Sequence, residues 1–131
     1  MCIFCKIING ELPSYKVYED ENNLAFLDIA PVNPGHTLVV PKKHYENMEK
    51  IPAADLQSLI LAVKKVGRLL KEKLGVPGYN ISVNNDPIAG QIVPHLHFHI
   101  MPRRPGDGYE LWKQGEYKEG EAEEIINKLL S

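Results

Sequence analysis

Disulfide-forming residues are scarce in this sequence: its two cysteines stand as Cys2-Ile3-Phe4-Cys5, and one such pair cannot make a disulfide scaffold. In a reducing compartment that spacing points to metal or redox chemistry, with two buried thiols as the plainer alternative. Long hydrophobic runs are missing too. The first apolar stretch, Ile3 to Ile8, is broken by Cys5 and Lys6. Nothing downstream approaches the length of a signal-peptide core or a membrane span, so a cytoplasmic location away from membranes is expected. Nor does one charge dominate: 15 basic against 17 acidic residues leave a formal net charge of −2. That balance argues against a broad nucleic-acid or anionic-membrane surface but leaves room for a local phosphate site. Internal repeats and low-complexity segments are absent. A chain of 131 residues is long enough for one domain with a core and short for two, so one domain over 1–131 is expected.

The patterning that is present reads as alternating strands and helices. Ile3, Phe4, Ile7 and Ile8 fall at helical spacing, and Asn9-Gly10 and Pro13 end that pattern, which predicts a short helix over 2–8. Residues 15–19 and 24–28 are β-prone runs on either side of the polar turn Asp20-Glu21-Asn22-Asn23, a hairpin signature. Two prolines and a glycine make 29–35 a loop that delivers His36 to a β-branched strand, Thr37-Leu38-Val39-Val40-Pro41. From Pro52 to Leu74, Leu56, Leu59, Ile60, Val63, Val66, Leu70 and Leu74 recur at steps of three and four. Asp55 comes early and lysines late, as a long helix ended by Gly75 prefers. Tyr79 to Asn84 alternates as a half-buried strand, 85–91 is a loop, and 103–108 is rich in turn residues. The chain extends beyond a core of about 2–105 into a segment where Ile125, Ile126, Leu129 and Leu130 predict an amphipathic helix over 121–130.

Three of the five histidines lie in Pro94-His95-Leu96-His97-Phe98-His99-Ile100-Met101-Pro102. On a β-strand His95, His97 and His99 would share one face and Leu96, Phe98 and Ile100 the other. Each neutral imidazole offers one donor and one acceptor and titrates near neutral pH, so such a face suits proton transfer, nucleophilic attack or metal binding.

These features combine with ordered blocks along almost the whole chain: Cys2 to Ile8, Phe26-Leu27-Asp28-Ile29, Gly35 to His44, and Ala89-Gly90-Gln91 leading into the histidines. Together they resemble the histidine triad family of nucleotide hydrolases and transferases, within it the Hint-like branch with zinc-binding bacterial and archaeal members. The resemblance implies an α+β histidine triad fold: a mostly antiparallel five-stranded sheet, one long helix and short terminal helices. It also implies a homodimer and a purine nucleotide substrate, a derivative of AMP or GMP cleaved at the α-phosphate. His97 would attack phosphorus to give a nucleotidyl-imidazole, His95 and His99 would hold its tautomer and donate to the phosphate, and His36 would polarise the triad. Asn84, Gln91 and the backbone N–H of Gly90 look like phosphate and ribose donors, and Asp28 like the acceptor for the ribose hydroxyls. Ile3, Phe4, Ile7, Phe26, Ile29 and Leu38 resemble the purine slot. Cys2, Cys5, His44 and His95 match the ligands of one structural zinc per chain, and His95 cannot serve zinc and phosphorus at once. Ile92 departs from the pattern, standing where many members carry a serine or threonine near the leaving group. Two alternatives stay open: a Fhit-like dinucleoside polyphosphate hydrolase, and a zinc-stabilised nucleotide-binding module with little catalysis.

Overall fold

In the computed structural model, residues 2–131 are described. The order of elements is α1 (Ile3–Ile8), β1 (Lys16–Glu19), β2 (Asn23–Leu27), β3 (Thr37–Pro41), α2 (Ala53–Leu74), β4 (Gly78–Val83), β5 (Phe98–Arg103) and α3 (Glu121–Leu130), with a single 3-10 turn at Pro87–Ala89. The sheet runs β1-β2-β3-β5-β4, and all four pairings are antiparallel. This is the α+β, five-stranded fold that the resemblance implies. The histidine-bearing strand, last in sequence, enters between β3 and β4 and so lies inside the sheet.

Alternation along the strands divides the apolar residues between two faces. Ala25, Val39, Leu96, Phe98 and Ile100 pack under α2, against Leu59, Val63, Val66 and Leu70. Leu24, Phe26, Leu38 and Val40 turn the other way, towards Phe4 of α1. Close approach of α2 to the sheet depends on Gly67, where a Cβ would lie 2.7 Å from the Tyr79 ring. Asp20 closes the β1–β2 hairpin by accepting the N–H groups of Asn22 and Asn23 through its carboxylate, the local chemistry that makes aspartate a turn residue.

The histidine segment departs from its predicted conformation. Regular pairing begins only at Phe98, so His95 and His97 precede the strand instead of lying on it. The cause is Pro41 at the end of β3. Continuing the β3–β5 register beyond Val39↔Phe98 would set Leu96 opposite Pro41, which has no N–H to give. The Leu96 N–H donates instead to the Tyr45 carbonyl, at 2.7 Å. The alternation nevertheless persists, with Leu96, Phe98 and Ile100 under α2 and His97 beside Phe4 on the other side. At the far end α3 forms as predicted, but its apolar residues Ile125, Ile126, Leu129 and Leu130 remain exposed.

Candidate active site

On the α1 side of the sheet lies a cleft of about 430 Å³. Its apolar end is built from Ile3, Phe4 and Ile7 of α1, Phe26 of β2, Leu38 of β3 and the exposed Ile29. Asp28 lies on its wall, and His97, His99, Asn84 and Gly90 line the end nearer β4. Phe26 and Leu38 are fixed by direct pairing across β2 and β3, and Phe4 meets Phe26 edge to face with ring centroids 5.5 Å apart.

The hydrogen bonds around the histidines determine which nitrogen carries each proton. His97 Nδ1 lies 2.7 Å from the His95 carbonyl; a carbonyl only accepts, so Nδ1 is protonated and Nε2 keeps its lone pair. His36 works in the opposite sense. The Val32 N–H donates to His36 Nδ1 at 3.1 Å, so in the neutral ring the proton sits on Nε2 and is donated to His99 Nδ1, 3.0 Å away. His99 then carries its own proton on Nε2. The cleft is therefore lined by one imidazole with a free Nε2 lone pair, His97, and one with an Nε2–H, His99, side by side with ring centroids 4.9 Å apart; a lone pair and a donor so placed have the chemistry to attack an electrophile and to donate to a developing oxyanion.

Burial keeps these rings neutral. It lowers the pKa of His36 and His97, in both cases against the charge of Asp28, and with His97 and His36 alongside it takes His99 to about 4. Unfolded histidine titrates near ~6.5, so between these values the unfolded chain binds more protons and stability rises with pH. The contribution is complete above the unfolded pKa and is lost as pH falls towards 4. The urea midpoint should accordingly drop between pH 6.5 and 4.5, and His99→Gln should flatten that slope; an unchanged slope in the variant would show that His99 is not held neutral by the fold.

Two groups of metal-binding residues are brought together, and their chemistry differs. In the first, Cys2 Sγ and Cys5 Sγ each lie 3.6 Å from His95 Nδ1, Cys5 Sγ is 3.4 Å from His44 Nδ1, and the two Nδ1 atoms are 3.2 Å apart. Tetrahedral zinc, with bonds of about 2.0–2.3 Å, separates such ligands by roughly 3.3–3.8 Å. His95 Nε2 donates to the Pro41 carbonyl at 2.8 Å, which leaves Nδ1 bare for a metal, as an outer-shell partner should. The Cys5 thiol is pushed up by burial and by Cys2 beside it, so two thiolates here call for a cation. The residues fit zinc. The second group, Asp28, His36 and His99, does not fit a metal, because the Val32 N–H on His36 Nδ1 puts a proton on the Nε2 that would have to ligate. It is a hydrogen-bond relay.

Three residues assigned to phosphate from the sequence have their polar groups engaged elsewhere. Both nitrogens of His95 are directed away from the cleft, to the thiols and to Pro41. The Gly90 N–H is taken by the Pro87 carbonyl; what Gly90 provides is room, since a Cβ there would lie 3.3 Å from Asn84 Nδ2. Gln91 is buried, accepting from the Asp86 N–H and donating to the Glu46 and Val93 carbonyls, and so it braces the loop. Asn84, Asp28 and the six apolar residues all line the cleft. Leu12, Pro13 and Ser14 of the α1–β1 connection, with Leu27 and Val93, line it as well. No periodicity marks the connection residues, which only the folded path of the chain brings to the site. Ile92 stands on the lip, 91% exposed.

An antiparallel sheet that sets a histidine lone pair and a histidine N–H at the end of an apolar cleft has the features of a phosphoryl- or acyl-transfer site. Comparison with known proteins specifies the family. Residues 9–106 match the HIT domain family, and the chain belongs to that family. It is 57% identical to an uncharacterized HIT-like protein of Methanocaldococcus jannaschii over 98% of both chains. It is 43% identical to an adenosine 5'-monophosphoramidase of Candida albicans, over 79% of this chain and 70% of that one. Among solved structures, a member of the HIT family from Bacillus subtilis superposes with a TM-score of 0.89 at 42% identity, over 98% of this chain and 94% of that chain. A Zn-bound histidine triad family protein from Mycobacterium smegmatis gives 0.79 at 34% identity, again over 98% and 94%.

Proposed function

We propose that the protein is a nucleotide hydrolase or transferase that cleaves purine nucleoside 5'-monophosphate derivatives, phosphoramidates or acyl-adenylates, at the α-phosphate. The observation that carries this reading is the pair of opposite tautomers, His97 with a free Nε2 and His99 with an Nε2–H, at the polar end of a cleft whose other end is apolar. His97 Nε2 attacks phosphorus; the new P–N bond forms as the bond to the leaving group breaks, and that group departs with the electron pair, an amine taking its proton from water at the open cleft. His99 donates to a non-bridging oxygen as charge builds there. Water then attacks the same phosphorus, releasing the nucleoside monophosphate and restoring His97. A relative named adenosine 5'-monophosphoramidase supports the substrate class. Mixing the protein with an amine-linked or aminoacyl adenylate and measuring AMP tests the reading; a protein that binds AMP yet releases none from either substrate would be a binding module instead. The same assay on diadenosine polyphosphates separates the Fhit-like alternative.

Within this reading Cys2, Cys5, His44 and His95 hold one structural zinc that pins α1, and with it Phe4, beside the catalytic segment. Zinc supplies charge compensation for the thiolates and a fixed cross-link. The chain is one domain over 1–131, with a core of about 2–105 and a C-terminal extension, and two cysteines outside any disulfide suit a reducing cytoplasm. Exposed Ile81 on the β4 edge and exposed Ile60, Leu61 and Leu74 on α2 support a homodimer through that side.

Asp28 has a further role in discriminating the sugar. Its Oδ1 accepts the Ala30 N–H, which orients the carboxylate at the cleft wall, where ribose hydroxyls would donate to it. A 2'-deoxy substrate loses one charge-assisted hydrogen bond, about 1.5–3 kcal/mol, and kcat/KM should fall about tenfold or more. Equal rates for ribo and deoxyribo substrates would remove Asp28 from substrate binding.

A further inference from the structure

The turn that leaves β5 is tied to the histidine relay. Asp107 has a nearly buried carboxylate that accepts from Arg103 Nε at 2.7 Å and Nη2 at 3.1 Å, Asn33 Nδ2 at 3.0 Å, and the backbone N–H groups of Tyr109 and Arg104 at 3.1 and 3.2 Å. These donors, Arg103 foremost, hold its carboxyl far below the usual carboxylate range. Asn33, itself buried, gives its second amide hydrogen to the Pro102 carbonyl at 2.9 Å. Arg104 Nη1 reaches the Pro34 carbonyl at 3.2 Å. Three of these bonds, Asn33 to Asp107, Asn33 to Pro102 and Arg104 to Pro34, tie the turn to the 31–35 loop, the loop that orients His36. The Asn33 carbonyl accepts the His36 N–H at 3.0 Å, and the Val32 N–H donates to His36 Nδ1. Gly35, at φ +93, fits there only without a side chain, since a Cβ would lie 2.7 Å from Leu74.

We propose that Asp107, acting through Asn33, is a positioning residue that sets the tautomers of the His36–His99 relay. The physical reason is that the relay has two self-consistent states. With the Val32 N–H on His36 Nδ1, protons run Val32 to His36 to His99, and His99 presents an N–H to the cleft. If the loop shifts and that amide is withdrawn, His36 is free to place its proton on Nδ1 and accept through Nε2. His99 then donates through Nδ1, and its Nε2 becomes a lone pair facing the phosphate. A donor for an anionic oxygen would turn into a repelling acceptor without any residue leaving the site. The Arg103–Asp107–Asn33 network therefore gives the beginning of the C-terminal extension a task in the chemistry.

The test uses the full chain with Asp107→Ala and, separately, Asn33→Ala. Nitrogen-15 histidine spectra read the tautomers directly, in a signal that a merely structural carboxylate would not move. The wild type should show protons on Nε2 of both His36 and His99; each variant should show the His36 proton redistributed to Nδ1. In the kinetic arm, which alone rests on the proposed function, kcat for AMP release should fall about tenfold. That is less than outright removal of an oxyanion donor, on the order of 10²–10³; AMP affinity should stay within twofold. Folded variants with wild-type tautomers, or with altered tautomers and unchanged kcat, would overturn the proposal. Should an alanine variant fail to fold, Asp107→Asn, which keeps the shape and removes the charge, is measured against the same criteria. A wild type that releases no AMP refutes the proposed function, while the tautomer spectra still decide the positioning role.

Discussion

His97→Asn should reduce turnover of adenylate substrates by at least about a thousandfold while leaving AMP affinity nearly intact. His97 is the one histidine that combines a position on the cleft with a free Nε2 lone pair, because its Nδ1–H is committed to the His95 carbonyl. His99 cannot take its place: its Nδ1 is occupied by His36, and its Nε2 carries the proton. Asparagine retains a polar side chain of similar reach but no comparable nucleophile, and losing the nucleophile removes the covalent route altogether. The groups expected to hold the nucleotide, Phe4, Phe26, Leu38 and Asp28, come from other elements, and of these only Phe4 packs on the His97 ring. The decisive comparison is steady-state rate against AMP affinity in folded variant. Rapid acid quench should also trap labelled nucleotide on the wild type and not on the variant. Near-normal turnover in folded His97→Asn would show that the central histidine is not the nucleophile.

The second large effect concerns the cysteine cluster. Reduced, undenatured protein should contain about one zinc per chain, and Cys5→Ala should lower the melting temperature by about 10 °C, the scale of a loss of ~3 kcal/mol in a chain of this size. Zinc would cross-link four ligands from three separate places, the start of α1, the loop after β3 and the segment before β5. The effect should therefore reach the cleft through α1. KM should rise as Phe4 and Ile3 loosen, whereas kcat in the surviving folded protein should hold, since His97 and His99 take no part in the cluster. Metal analysis finding no zinc would refute the site, and a variant that loses kcat but not stability would assign His95 to catalysis after all.

Much of this was legible in the sequence because it depends on local rules. The 3.6-residue spacing of α1 and α2, the Asp20 turn, the strand ended by Pro41 and the two-faced alternation from Leu96 to Ile100 all follow from neighbours in the chain. The residue types of the site were legible as well: imidazoles at alternate positions, a Cys-x-x-Cys pair and a carboxylate beside an apolar run. The tertiary structure decided what each of them faces. Whether Gln91 meets a ligand or braces a loop depends on the Glu46 carbonyl, 45 residues away. Whether His95 acts at phosphorus or sits with the thiols depends on Cys2, Cys5 and His44 arriving beside it. The tautomer of His99, and so whether it presents a donor or a lone pair to the cleft, is set by a single hydrogen bond from His36, 63 residues away, which no local pattern encodes. Pattern fixes which face a side chain takes, because backbone geometry is local; it does not fix the hydrogen-bond partner, because partners are supplied by the packing of distant segments.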